Sequence, residues 1–415
     1  MTDVNEDDEF VSAQEDDFEE KTADVSKSLR RGKSKVVADE SDDDDDPKFT
    51  GNETNKGLKI GSAHDRTFIS RGNTLGVFRN NEENDIEFYT AIQNISSSKN
   101  KNLKVNPDKM MLQKGDSVMI VQDNKDLNTL FRLDLERGQI VEDWKMEKDG
   151  TTLPVVNYTT NEKFGDRTDE QTFLGISNQS LFKVDPRLTN KVVDSEFKHY
   201  KTKTNFTQVA TTEDGYIAAS TATGEIKLYD KLGKIAKTML PAMGDNFVGL
   251  TTSNTGRFVL ATCKNYLLLI DVQIKRGSNR WKLGYEKSFA KDSKPLPKKL
   301  ALKPEHLAFV RTHCGSSWSF TQANFNVTMN SKNKNPTSII TSVGPFAITW
   351  NLRKALRNEP DSYRIRRYND NVLVGDFTYS NANRMVLTLP NDVTMVSTRQ
   401  FKKADQTFET VKTYK

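Results

Sequence analysis

The stretch TTEDGYIAASTATGEIKLYD, residues 211–230, contains two short apolar runs bounded by turn residues. Asp214-Gly215 comes directly before the first run and predicts a hairpin turn, because glycine tolerates the positive φ that such turns require. The second run ends at Asp230, whose side chain can bond the backbone two residues on and so start the next turn. The stretch therefore predicts two strands and a turn that leads to a further, outermost strand.

The second run recurs along the chain as an apolar strand that ends in Asp or Asn. We predict that these final residues are structural turn residues, and they are Asn80, Asp134, Asp185, Asp230, Asp271 and Asn351, followed by a degenerate copy that ends at Ser397. The spacings of 54, 51, 45, 41, 80 and 46 residues mostly suit one four-stranded propeller blade. We predict an all-β fold, a seven-bladed, WD-repeat-like β-propeller over residues 57–415.

Three further expectations concern the ring of blades. The 80-residue gap exceeds one blade, and we interpret residues 275–299 and 311–335 as loop insertions. We expect residues 407–412 to pair with the first blade around residues 58–68 and so seal the exposed edges. The tryptophans are interpreted as packing residues, and they are Trp144, Trp281, Trp318 and Trp350.

Residues 1–56 are predicted to be a disordered acidic tail and linker. The first 46 residues carry 18 Asp or Glu against six Lys or Arg, a net charge of −12, so the remaining chain has a net charge of +16. Few aromatic residues and no apolar periodicity mean that folding could not offset its entropic cost. Ser41 precedes five aspartates and is a candidate for phosphorylation by an acidophilic kinase, whose substrate groove is basic.

Composition also predicts a location. The chain contains no run of 18 apolar residues and begins MTDVNEDDEF, without the apolar core of a signal peptide, so we expect neither membrane insertion nor secretion. The only two cysteines, Cys263 and Cys314, agree with a reducing compartment. We predict a cytoplasmic protein; a basic island at residues 30–35 makes a nuclear location the alternative.

The search for catalytic chemistry in the sequence finds no convincing constellation. A metal site at His306, His313 and Cys314 is weighed against ordinary loop and core residues and rejected, because a structural zinc site needs four ligands in recognisable spacing. No Gly-x-Ser-x-Gly motif is present. We therefore predict no catalytic residues, no cofactor and no metal, and expect that the chain is not an enzyme.

Basic clusters provide the alternative to a purely protein-binding function. Six residues are candidates for binding a polyanion, and they are Lys294, Lys298, Lys299, Arg364, Arg366 and Arg367. Together with the net charge of +16 they could form an anion-attracting surface, although solvated strands and loops explain them equally well.

Three phrases carry a family resemblance. They are DRTFISRGN at residues 65–73, EQTFLGISN at residues 170–178, and the long run from residue 210 to residue 264. Together they resemble the C-terminal propeller of the vacuolar import and degradation protein 27 family of fungi, over about residues 57–400. The resemblance implies a cytoplasmic, WD-repeat-like domain without a defined molecular activity. It also implies a further N-terminal region with a pleckstrin-homology-like part, which we do not find in this sequence, so lipid binding is not carried over.

Two functions follow as hypotheses. The first is a non-catalytic scaffold that presents loops to protein partners of unknown identity, with a role in vacuolar protein import or degradation. The alternative is a propeller that binds nucleic acid or another polyanion through a basic face. Salt separates them, because counterion release makes polyanion binding weaken steeply as salt rises. A hydrolase with its site in the central channel is a third hypothesis.

Overall fold

The computed structural model describes residues 53–80, 85–315, 317–326, 335–378, 381 and 383–407. The acidic tail and Ser41 lie outside the described residues. Within them, thirty strands and two α-helices form the elements below.

Blades 1 to 3 are four-stranded antiparallel sheets. Blade 1 contains β1 (Gly57–Ile60), β2 (Thr67–Arg71), β3 (Thr74–Asn80) and β4 (Ile86–Ile92). Blade 2 contains β5 (Lys109–Gln113), β6 (Val118–Gln122), β7 (Thr129–Asp134) and β8 (Gln139–Lys145). After a short hairpin, β9 (Glu147–Lys148) and β10 (Thr151–Thr152), blade 3 contains β11 (Asn157–Thr160), β12 (Phe173–Ile176), β13 (Ser180–Val184) and β14 (Val192–His199).

Blades 4 and 5 have the same form, whereas blades 6 and 7 depart from it. Blade 4 contains β15 (Phe206–Thr211), β16 (Ile217–Thr221), β17 (Ile226–Tyr229) and β18 (Thr238–Leu240), and blade 5 contains β19 (Gly249–Thr252), β20 (Phe258–Thr262), β21 (Leu267–Asp271) and β22 (Lys298–Leu300). Helix α1 (Pro304–Cys314) leads to blade 6, which contains β23 (Asn324–Phe325), β24 (Ser338–Val343), β25 (Phe346–Asn351), helix α2 (Leu352–Leu356) and β26 (Tyr363–Arg367). Blade 7 has three described strands, β27 (Val374–Phe377), β28 (Arg384–Thr388) and β29 (Val393–Ser397), and β30 (Lys402–Lys403) returns to pair with β26 in blade 6.

The predicted seven-bladed, all-β propeller is confirmed. All seven copies of the repeated phrase fall on the third strand of a blade, from β3 in blade 1 to β29 in blade 7. The repeat is therefore a repeat of blades, because each copy marks the same place in a four-stranded unit.

The residues that end these strands have different partners. In three blades the carboxylate accepts from the backbone N–H two residues on: Asp134 from Glu136 at 3.1 Å, Asp185 from Arg187 at 3.0 Å, and Asp271 from Gln273 at 3.2 Å. Asn351 instead caps α2 by accepting from Lys354 N at 3.0 Å, and Asp230 contacts Lys237 Nζ at 3.3 Å. Residues 81–84, which follow Asn80, lie outside the described residues.

The interpretation of residues 275–299 and 311–335 as loops is wrong in part. Lys298 and Lys299 begin β22, the outermost strand of blade 5. Residues 311–314 complete α1, which has Pro304 at its first position, where a missing N–H costs nothing, and Glu305 in its first turn. The long gap thus contains the last strand of blade 5, a helix and the short inner strand of blade 6.

The ring closes by packing and side-chain bonds near its first blade. Neighbouring inner strands contact one another around the ring, and β27 of blade 7 contacts β1 of blade 1. Asn55, which lies in the predicted linker, is only 1% exposed; its N–H donates to Pro390 O at 2.8 Å and its Nδ2 to Leu389 O at 2.8 Å. Of residues 407–412, for which we expect pairing with blade 1, the structure describes Thr407 alone, whose Oγ1 donates to Ile365 O in blade 6. Residues 408–412 lie outside the description.

The core consists of apolar layers between adjacent blades. Between blades 4 and 5, Ile226 and Leu228 of one sheet and Val259 and Ile270 of the next belong to one buried cluster. Three of the predicted packing tryptophans, Trp144, Trp318 and Trp350, are buried. Trp281 is the exception: it is exposed in the insertion after β21, under the guanidinium of Arg280.

Candidate functional site

The central channel is bounded by the innermost strands of all seven blades. It encloses about 360 Å³, at the lower end of the roughly 300–1,000 Å³ that ligand pockets span. Amide side chains line it, and they are Asn157, Gln208, Gln322 and Asn324. Asn157 Nδ2 donates to Gln208 Oε1 at 2.9 Å, which links blades 3 and 4. The channel is therefore polar although the layers between blades are apolar.

Charged side chains stand in the same channel. Lys59 of β1, Lys109 of β5, Lys163 just beyond β11 and Asp376 of β27 all line it. Burial raises the pKa of the Asp376 carboxyl to about 6, although the ammonium groups of Lys59 and Lys163 act in the opposite direction. Burial also lowers the pKa of Lys163 to about 8. These charges come from four different blades, and sequence analysis did not select any of them.

A threonine ladder connects the ends of three inner strands. Thr211 Oγ1 donates to Thr160 O at 2.9 Å, and Thr252 Oγ1 donates to Thr211 O at 2.7 Å. Lys163 Nζ donates to Thr252 O. Each hydroxyl satisfies a carbonyl of the preceding blade, so this end of the channel is held by bonds that cross between blades.

The three residues rejected above as a metal site, His306, His313 and Cys314, all lie on α1. Glu305, His306 and Asp405 bring possible ligand atoms within 4.8 Å of one another, whereas His313 and Cys314 do not belong to this group. However, both ring nitrogens of His306 are engaged, with Tyr363 Oη at 2.6 Å and Asp405 Oδ1 at 2.9 Å. The arrangement is that of a structural hydrogen-bond network, because no ring nitrogen is left to bind an ion.

The six polyanion candidates lie on blades 5 and 6 and have different partners. Lys294 Nζ donates to Met239 O at 3.1 Å, and Lys298 Nζ donates to Leu356 O. Lys299 Nζ lies 4.3 Å above the ring of Tyr266.

The other three candidates are on β26 of blade 6. Arg366 donates to Gln400 Oε1, and its guanidinium lies 5.2 Å from the centre of the Tyr368 ring. Arg367 is the last residue of the strand. Arg364 lines a pocket of about 90 Å³ on the rim, with three lysines that sequence analysis did not select, Lys303, Lys354 and Lys403.

Three exposed apolar side chains lie on blades 4 to 6, next to segments that lysine side chains connect. Leu296 is 91% exposed between Pro295 and Pro297, and Met239 of β18 and Leu356 of α2 are 47% and 40% exposed. Because Lys294 reaches Met239 and Lys298 reaches Leu356, the short segment around Leu296 connects three blades. We call Met239, Leu296 and Leu356 the rim strip.

Comparison with known proteins decides the family. The model of the VID27 C-terminal WD40-like domain matches residues 53–413, nearly all of the described chain. The chain belongs to this family. The resemblance found in the sequence is thereby confirmed.

Two relatives and one solved structure extend the comparison. The chain is 41% identical over 388 residues to Vacuolar import and degradation protein 27 of Schizosaccharomyces pombe and 36% identical over 365 residues to that of Saccharomyces cerevisiae, matches that cover 93% and 86% of this chain. In each case it spans 46% of the relative, about half its length. The crystal structure of the Cps50 (Swd1) β-propeller domain of Myceliophteria thermophila is similar with a TM-score of 0.57 and 12% identity, over 84% of this chain and 97% of that one, which supports the fold alone.

The fold and the family fit a scaffold role. Within the described residues, no helix has the length and apolar character needed to cross a membrane.

Proposed function

We propose that the chain is a non-catalytic interaction platform that binds protein partners through the rim strip. The observation that carries the proposal is the exposure of Leu296 on a segment that is fixed at both ends by lysine bonds to neighbouring blades. A partner that covers apolar side chains on a rigid frame removes their area from water, which favours binding without a cost of ordering the frame. A propeller rim supplies that rigidity, because its strands belong to closed, packed sheets.

The surroundings of the rim strip specify the kind of partner. Lys294 and Lys299 are exposed beside Leu296, and Lys298 is partly exposed. We propose that the partner presents an extended segment with an apolar residue for the strip and acidic residues beside it. Charge complementarity would then set register and encounter rate, and the apolar contact would supply most of the affinity.

The biological setting is also part of the proposal. The two fungal relatives are named for vacuolar import and degradation, and we extend that process to this chain. Cys263 and Cys314 are both unpaired, which supports a reducing compartment. We therefore place the activity in the cytoplasm, with the nucleus as the alternative.

The test compares proteins captured from native cell extracts by the wild-type chain, by Leu296→Asp and by Leu103→Asp. Leu103 is an exposed leucine between blades 1 and 2 and provides a matched control. We expect Leu296→Asp to lose specific partners by about tenfold or more, since a carboxylate in an apolar contact must be desolvated. The control should retain them.

Two outcomes would contradict the proposal. One is equal recovery of the same partners by all three chains. The other is recovery that disappears after nuclease treatment and falls steeply between 50 and 200 mM salt, which would favour the polyanion alternative through Arg364 and the rim lysines.

A further inference from the structure

The central channel holds charges that the fold leaves incompletely paired. Lys59 Nζ has no hydrogen bond with any of the described residues, and its ammonium acts on the Asp376 carboxyl by electrostatic attraction alone. Asp376 accepts from its own neighbour, Phe377 N, at 2.8 Å and forms no ion pair with a described side chain. Lys163 and Lys109 each donate to one backbone carbonyl, Thr252 O and Val156 O, and so retain further N–H groups.

Only some of the blades place a charged side chain in the channel. The inner strands of the other blades present threonine and amide side chains to the channel. Placing ammonium groups in a narrow, partly desolvated channel is unfavourable unless something of opposite charge accompanies them. An anionic ligand in the channel would lower the cost of burying the ammonium groups that Asp376 does not neutralise.

The excess of positive over negative side chains in the channel favours an anionic ligand. Three ammonium groups, those of Lys59, Lys109 and Lys163, face the channel against the carboxylates of Asp376 and Asp166. Asp166 already accepts from Ser62 Oγ, whereas the ammonium of Lys59 has no hydrogen-bond acceptor among the described residues. A cationic ligand would have to approach Lys59 and Lys163 to reach Asp376, so like-charge repulsion disfavours it.

We propose that the central channel binds a small anion of low molecular mass, one that carries carboxylate or phosphate groups, with Lys59 and Lys163 as its principal partners. The amide side chains of Asn157, Gln208 and Gln322 surround the channel and offer N–H donors and carbonyl acceptors to the remaining polar groups of such a ligand. This site is separate from the rim strip, and the proposal does not depend on the proposed function.

The experiment is calorimetric titration of the full chain with citrate and with inorganic phosphate at pH 7 and about 50 mM salt. We expect saturable binding of at least one of them. Lys59→Gln should weaken it about tenfold or more, because one of the two principal ammonium partners of the anion is lost. Asp376→Asn should strengthen it several-fold, because a fixed negative charge is removed from the same channel while the side-chain shape is kept.

Controls keep the result specific. Lys231→Gln, at an exposed position just beyond β17, removes one positive charge outside the channel and should leave the affinity unchanged. Each variant must melt in a single transition near that of the wild type before its titration is interpreted.

Three results would overturn the proposal. They are the absence of saturable binding of both anions, an effect of Lys231→Gln as large as that of Lys59→Gln, and an unchanged or weaker affinity in Asp376→Asn. Binding of an acidic peptide such as oligoglutamate without binding of either small anion would also contradict it, since the ligand would then be a protein segment.

Discussion

At the scale of single residues, Asp376 shows how a channel position differs from a surface position. Its carboxyl lies on the inner strand of blade 7, where burial raises its pKa to about 6 from 3.8. A raised carboxyl pKa means that the folded protein holds the proton more tightly than the unfolded chain does. The stability associated with that proton is therefore fully present below about pH 3.8 and is lost as the pH rises through 6.

Asp376→Asn should remove this dependence. Above pH 7 we expect the variant to exceed the wild type in free energy of unfolding, by at most about 3 kcal/mol, and the difference should vanish near pH 4. Denaturant unfolding at pH 4, 6 and 7.5 measures it. The matched control is Asp292→Asn at an exposed position, which should be neutral at every pH. A variant that is less stable than the wild type at pH 7.5 would show that the charge is paired.

At the scale of elements, His306 connects α1, β26 and the C-terminal segment. Tyr363 Oη accepts from Lys303 N at 2.9 Å and bonds His306 Nδ1, while Asp405 bonds the other ring nitrogen. Burial, the largest influence, lowers the pKa of His306 despite the opposing effect of Asp405. The neutral ring thus contributes stability above pH 6.5 that is lost as the pH falls through the lowered pKa.

Tyr363→Phe tests this connection. The change removes one hydroxyl and leaves Lys303 N and His306 Nδ1 without their partner, so we expect a loss of about 1–3 kcal/mol in the free energy of unfolding. Tyr89→Phe removes an exposed hydroxyl from β4 and should change it by less than about 0.5 kcal/mol. Equal effects of the two substitutions in denaturant unfolding would mean that the network has no structural role.

At the scale of the whole molecule, stability depends on closing the ring. Asn55 donates to three backbone carbonyls between β28 and β29 of blade 7, those of Leu389, Pro390 and Asp392, and its Oδ1 accepts from Arg71 Nε at 3.0 Å in blade 1. The contacts with blade 7 join residues more than 300 positions apart.

Asn55→Ala should therefore lower the free energy of unfolding by about 1–3 kcal/mol, because buried backbone carbonyls lose their donor. Asn124→Ala, at an exposed position, should have little effect. Removing everything after Pro390 deletes β29 and should have a larger effect, the loss of a single cooperative melting transition. A truncated chain with unchanged thermal unfolding would contradict the importance of closure.

Features whose causes lie within a few residues could be predicted from the sequence, whereas features that depend on distant residues could not. The turn after β7 is formed by Asp134 and its own next residues, so a short phrase was sufficient to find it. Trp281 was misjudged because nothing adjacent in sequence indicates that its insertion remains on the surface. The residues of the channel, Lys59, Lys163 and Asp376, carry no motif and are separated by 104 and 213 positions.

The amino-acid sequence by itself determined that blades recur and that seven of them form an all-β ring, because strand alternation and turn chemistry act within a few residues and repeat along the chain. Only the tertiary structure decided which charges face one another in the channel, how Asn55 closes the ring and where Leu296 stands on the rim. Those placements depend on the angle through which each blade is turned relative to the first, and that angle accumulates from packing between sheets, which no local run of residues encodes.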